Sequence, residues 1–314
     1  VAVSKIEFKF DGSPPRRRVV RGRDVLFEDP YDSEGGGWPF PMPQTTGIIG
    51  AGLTYGDLTP SSGDFNTTSV GQVVEGLDIT GRFVVNHANV TLRKSRVRHS
   101  GNYGIDNRDS HLGLLVEDVE IDGVNTSSTT SVVSGLDFGA STTYRRCYLH
   151  NATNGITTYG GSTFEDNYLI VNRATTDGAH REAILGRGSN HTWQRNVLIC
   201  ASSTGCSAAA VLYGFPSAVT NCLIEDNYFA GLCGFCFYAG ATHDFPDDTE
   251  DIRVLTNAFD RRLGSEGGYK EEDDDPDLCG RAGDITGFDG SGPGNVSSGN
   301  YYWPDLLPLG TPEP

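Results

Sequence analysis

The octets STFEDNYL (162–169), HTWQRNVL (191–198) and CLIEDNYF (222–229) are copies of one design: an alternating strand, two or three polar residues, Asn, then an apolar pair. Six further segments fit the frame: QVVEGLDI (72–79), VTLRKSRV (90–97), LLVEDVEI (114–121), TTYRRCYL (142–149), IRVLTNAF (252–259) and NVSSGNYY (295–302). Their sixth positions are Leu77, Ser95, Val119, Cys147, Asn167, Asn196, Asn227, Asn257 and Asn300, so successive gaps are 18, 24, 28, 20, 29, 31, 30 and 43 residues. A period of about 20–30 residues with strands in each unit marks a solenoid, where each repeat buries its apolar face only by stacking on its neighbours. Five Asn at one phase predict a ladder inside a turn, each amide bonding the next repeat. The expected fold is all-β: a right-handed parallel β-helix of about nine coils with a small N-terminal head.

Composition narrows the function classes. No run of 18 apolar residues occurs in the 314, so no membrane-spanning helix is expected. A net charge of −17 argues against a general nucleic-acid binder, whose footprint is basic. The charge is uneven: residues 1–23 carry seven basic against two acidic side chains, net +5, which leaves −22 on the remainder. That segment reads as a docking element for an acidic partner through Arg16, Arg17, Arg18, Arg21 and Arg23, or as a solvated strand and loop. Arg outnumbers Lys twenty to four, as in GC-rich coding. Val1 then reads as a translated GTG start of a leaderless product, with a processed terminus as the alternative.

The organisation expected is a head at 1–33, a Gly/Pro linker at 34–47, a β-helix at 48–303 whose first stretch to Asp64 caps the open coil, and a tail at 304–314. Long excursions leave the stack at 124–136, 171–189, 200–220, 240–250 and 263–294, and such loops are where binding sites are built. Seven Cys are odd in number. Cys200 and Cys206 bracket a short loop that a disulfide can staple, and Cys236 and Cys279 are the other disulfide candidates. CGFC (233–236) has zinc half-site spacing but no second CxxC, so no metal centre is expected there.

The densest polar stretch is TTDGAHREAILGRGSNH (175–191). On a strand, His180 and Glu182 share one face and Arg181 takes the other. Asp177, His180 and Glu182 are therefore the catalytic candidates for general acid–base work, while the plainer reading has His180 and Glu182 satisfying each other. Arg187 can neutralise a uronate. Arg181, Arg187, Tyr213, His243 and Asp244 are the ligand-binding candidates, with the surrounding aromatics as a sugar platform or as filling for the solenoid. EEDDDPD (271–277) offers oxygen ligands for calcium but lacks the spacing of a calcium loop, so no cofactor is expected.

TTDG (175–178) resembles the Asn-Thr-Asp-Gly box of the polygalacturonases, β-helical glycosidases, but the Gly-His-Gly and Arg-Ile-Lys of those enzymes are absent. A wider resemblance spans about residues 48–303. LDITGRFVVNHANVTLRKSRVR (77–98), LLVEDVEIDG (114–123), GAHREAI (178–184) and IEDNYFAG (224–231) are similar to right-handed parallel β-helix proteins of actinobacteria and of the tails of their bacteriophages. The resemblance implies a minor tail protein, fibre or spike that presents loops to host surface polysaccharide and leaves the N-terminal head unexplained; the basic head is expected to join it to other virion proteins. It leaves a homotrimer open. The alternative is a secreted carbohydrate-active enzyme, a polysaccharide lyase or glycoside hydrolase of pectate-lyase-like fold.

Overall fold

Parallel pairing needs a long connection between hydrogen-bonded neighbours, and in this chain that connection consists of two further strands. The computed structural model describes residues 39–100, 103–107, 111–123, 141–172, 181–201, 206–215, 217–231, 233–241, 248–261, 279–280, 282–303 and 306–309, and the backbone alone of 20–21, 24–25 and 131–134. Three long sheets result, with each strand pairing with the strand three later in sequence. The first sheet has eleven strands, from Thr59–Ser62 to Tyr301–Trp303 plus a final antiparallel Leu307–Pro308. The second runs over nine strands from Phe65–Asn66 to Gly283–Thr286, and the third over nine from Val73–Glu75 to Val296–Ser298. Within the described segments, helix is confined to single turns such as Gly47–Gly50. Among the described residues none is long and apolar enough to cross a membrane.

Register turns the sequence repeat into columns. Leu92, Val116, Tyr144, Phe164, Trp193, Ile224 and Val254 are aligned partners in the third sheet. Val97, Ile121, Leu149, Leu169, Leu198, Phe229 and Phe259 align in the first, and Ile156, Ile184, Ala210, Phe237 and Ile285 in the second. All three columns belong to one buried cluster. Its rings stack along the columns, as with Tyr144 on Phe164 at 5.2 Å and Phe229 on Phe259 at 5.1 Å.

The turn between third and first sheets carries the repeat phrase. Its fifth residue has positive φ in every copy: Gly76, Lys94, Asp118, Arg146, Asp166, Arg195, Asp226, Thr256 and Gly299. That region is costly for most L-residues, above all for a β-branched one such as Thr256. The sixth residue compensates. From Asn167 to Asn257 each amide donates to the next Asn Oδ1 at 2.8–3.0 Å, and that oxygen also takes the donor's backbone N–H. On the outside of the turn, Arg146 grips Asp118 and Arg195 grips Asp166 at 2.7 and 2.8 Å.

Two expectations are corrected. The excursions read as loops at 124–136, 171–189, 200–220 and 263–294 contain the second-sheet strands Ser131–Ser134, Ile184–Arg187, Ala210–Tyr213 and Gly283–Thr286. Four-residue strands with small or mixed side chains carry too little alternation to be seen in sequence. The stretch from Ile48 to Asp64 is also no end cap, because Thr59–Ser62 is itself the first strand of a sheet.

Residues 39–58 instead lie on the outer face of the first sheet. Phe40 packs on Tyr228 at 5.2 Å and Trp303 at 5.4 Å, the Gly47 N–H donates to Arg146 O at 2.7 Å, and the Tyr55 hydroxyl donates to Glu120 at 3.3 Å. Gly47 has φ +59, and a Cβ there would sit 3.1 Å from that of Tyr148, so this strap can approach the sheet only with glycine. Beneath it, Tyr148, Tyr168, Ile170, Val197, Ile199, Tyr228, Ala230 and Ala258 form a second apolar cluster.

Candidate functional site

Strand alternation puts the side chains next to the buried second-sheet column on the outside. Thr157, Leu185, Val211, Tyr238 and Thr286 form one aligned outer row, and Tyr159, Arg187 and Tyr213 form the next. The Arg187 guanidinium lies 4.6 Å from the Tyr213 ring centre, 5.3 Å from Tyr159 and 6.0 Å from Phe215. Its Nε is buried without a hydrogen-bond partner, and no described carboxylate pairs with it. Phe215 is 44% exposed. The result is a cation held among rings on a rigid sheet.

The support beneath is specific. A Cβ on Gly186 would meet Trp193 at 2.6 Å, so glycine lets the Ile184–Arg187 strand sit directly on that indole. The carbonyl of Arg187 can only accept, so His191 Nε2–H donates to it at 3.2 Å, and His191 Nδ1 accepts from the Ser162 hydroxyl at 2.7 Å. Burial depresses the His191 pKa to about 4, which keeps the ring neutral and fixed. Glu182 is 5% exposed. Burial raises its pKa to about 7 against the pull of Arg187 and Arg181, and among the described residues nothing donates a hydrogen bond to its carboxyl group.

The other sequence candidates divide. Arg181, expected at the ligand, is 1% exposed and donates to the Thr153 carbonyl at 3.2 Å, so it belongs to the interior. Asp177, His180, His243, Asp244, Arg16, Arg17, Arg18, Arg23 and the run 271–277 lie outside the described residues, and Arg21 sits in a two-residue strand described by backbone alone. Cys200 is bonded to Cys206 and Cys236 to Cys279, with Cα–Cα distances of 6.0 Å. Cys147, Cys222 and Cys233 are free and buried. Burial pushes the Cys233 thiol up to about 12, so CGFC supplies no thiolate pair.

A polar cluster escaped the sequence reading. Glu120, Asp122 and His150 bring three potential ligand atoms within 4.8 Å of one another on the first sheet, under the strap. Arg96 already occupies them, with Nε 3.1 Å from Glu120 and NH2 2.7 Å from Asp122. Tyr55 caps the guanidinium at 4.5 Å, and Asn151 donates to Asp122 at 2.9 Å. A metal ion would have to displace a cation that already balances these charges, so the cluster serves as the lock between strap and sheet. The signal for it lay in the octets themselves: Arg96 and Glu120 both hold the seventh place, Arg98 and Asp122 both follow the eighth, and the structure pairs them in register.

Comparison of the chain with protein-family models, with curated proteins and with solved structures finds no match.

Proposed function

We propose that the three sheets close on one another as a right-handed parallel β-helix that binds a polysaccharide along the outer face of the second sheet. Closure is supported by the single buried cluster shared by all three inner columns and by the strict one-two-three order of the strands. The observation that carries the binding reading is the aligned trio Tyr159, Arg187 and Tyr213 on three adjacent strands. Rings stack on the apolar faces of sugars, and a fixed cation or hydrogen-bond donor sets their orientation. With the sequence resemblance, this favours a minor tail protein, fibre or spike of a bacteriophage of a GC-rich host, docked through Arg16, Arg17, Arg18, Arg21 and Arg23 and exposed to host surface glycan. Adsorption of the purified chain to host envelopes tests the reading. Tyr213→Ala should lower it about tenfold, and adsorption unchanged in Tyr213→Ala and in Tyr159→Ala would refute it.

Glu182 favours a second reading, a carbohydrate-active enzyme. A buried carboxyl group poised at about 7 beside an arginine has the pKa that proton transfer near neutrality requires. Oligosaccharides released from the bound polymer, and lost in Glu182→Gln, would establish it.

A further inference from the structure

We infer that the polymer is anionic: a chain of carboxylate-bearing sugars laid along the stack, crossing the strands, with Arg187 as its counter-ion. This rests on the glycan-binding reading and specifies its ligand class. Among the described residues, many arginines are matched to carboxylates, while Arg181 is bound to a carbonyl in the interior. Arg82, Arg93, Arg96, Arg98, Arg146 and Arg195 each hold a carboxylate within 2.8 Å. Arg187 faces rings instead, and Glu182, whose carboxyl group feels its charge, is held toward the neutral form by burial. Arg187 is only half-buried, and the fork of its terminal nitrogens can take a bidentate carboxylate, a geometry that Arg offers and Lys does not.

The direction of the polymer follows from register. Neighbouring strands lie about 4.8 Å apart, close to the length of one hexopyranose unit in an extended chain. Tyr159, Arg187 and Tyr213 occupy three consecutive strands at one register position. A polymer along the stack thus meets ring, guanidinium and ring with successive sugars. One running along a strand would meet only one of them.

The test uses the full chain on an array of acidic polysaccharides (polygalacturonate, alginate, hyaluronate, xanthan), each beside its carboxyl-reduced counterpart, with dextran and mannan as neutral polymers. The expected result is binding to at least one acidic polymer and loss of about tenfold or more on its carboxyl reduction, matched by a similar loss in Arg187→Gln. Arg187→Gln, with the wild-type melting temperature and measurable residual binding, should show no further sensitivity to carboxyl reduction. Equal binding to native and reduced polymers, or binding to neutral polymers alone, overturns the anionic ligand and leaves the glycan reading standing. No binding to any polymer by the folded wild-type chain removes both.

Discussion

Asn196 and Asn227 are joined twice through one oxygen: Asn227 Oδ1 accepts the Asn196 side-chain amide at 2.9 Å and its backbone N–H at 3.0 Å. The same Asn196 amide donates to Phe164 O at 2.9 Å, and its own Oδ1 serves Asn167 in the same double fashion at 2.8 and 3.1 Å. Every hydrogen-bonding position of the side chain is thus used, and both neighbours are fully buried.

Asn196→Ala should therefore cost about 3 kcal/mol or more, since buried donors and acceptors on two neighbouring repeats lose partners at once. Asn300, at the end of the ladder and 6% exposed, donates to Val254 O and Ser297 but to no further Asn, so Asn300→Ala should cost less. Urea unfolding of both variants measures the difference, and equal costs would argue against a cooperative ladder.

Glu182 and His191 give opposite pH dependences. The folded Glu182 pKa of about 7 stands above its ordinary 4.5, so its contribution is full below pH 4.5 and is lost as pH rises through 7. His191, folded at about 4 against 6.5, contributes above pH 6.5 and loses that contribution as pH falls through 4. Glu182→Gln should stabilise the chain by up to about 3 kcal/mol at pH 8 and change nothing below pH 4.5. Parallel stability profiles for wild type and variant would contradict this account.

Arg96 balances two buried carboxylates, so Arg96→Ala should cost about 3–5 kcal/mol, the usual penalty for stranding buried charge. Chelators should leave the wild-type melting temperature unchanged. Added calcium or zinc should raise that of Arg96→Ala alone, because only the variant presents an uncompensated Glu120–Asp122–His150 set. Stabilisation of the wild type by either ion would show that Arg96 yields to metal.

The disulfides should differ in weight. Cys236 and Cys279 are 43 residues apart and Cys200 and Cys206 only 6. Chain-entropy loss then predicts about 4 kcal/mol for Cys236→Ser and about 2 kcal/mol for Cys200→Ser. Melting curves of the oxidised variants test this order.

The sequence by itself determined the repeat. The Asn residues at 167, 196, 227, 257 and 300 fall at one phase because a buried amide is best satisfied by a copy of itself one repeat away, and that demand shows in the spacing. Alternation such as LLVEDVEI, with apolar side chains inward and charged ones outward, likewise exposed two of the three strands in each repeat. The third strand and the candidate site were decided only in three dimensions. Ile184–Arg187 and Ala210–Tyr213 are too short to carry a periodic signal, and excursions of unequal length hide that Tyr159, Arg187 and Tyr213 share one register position. Arg96 and Glu120 share the seventh place of their octets and so were legible, whereas the burial of Arg181 came only with the folded chain. Spacing along a chain reports which residues recur. Which of them become neighbours across hydrogen-bonded strands depends on how the intervening loops are taken up, and that is settled by packing against the shared core.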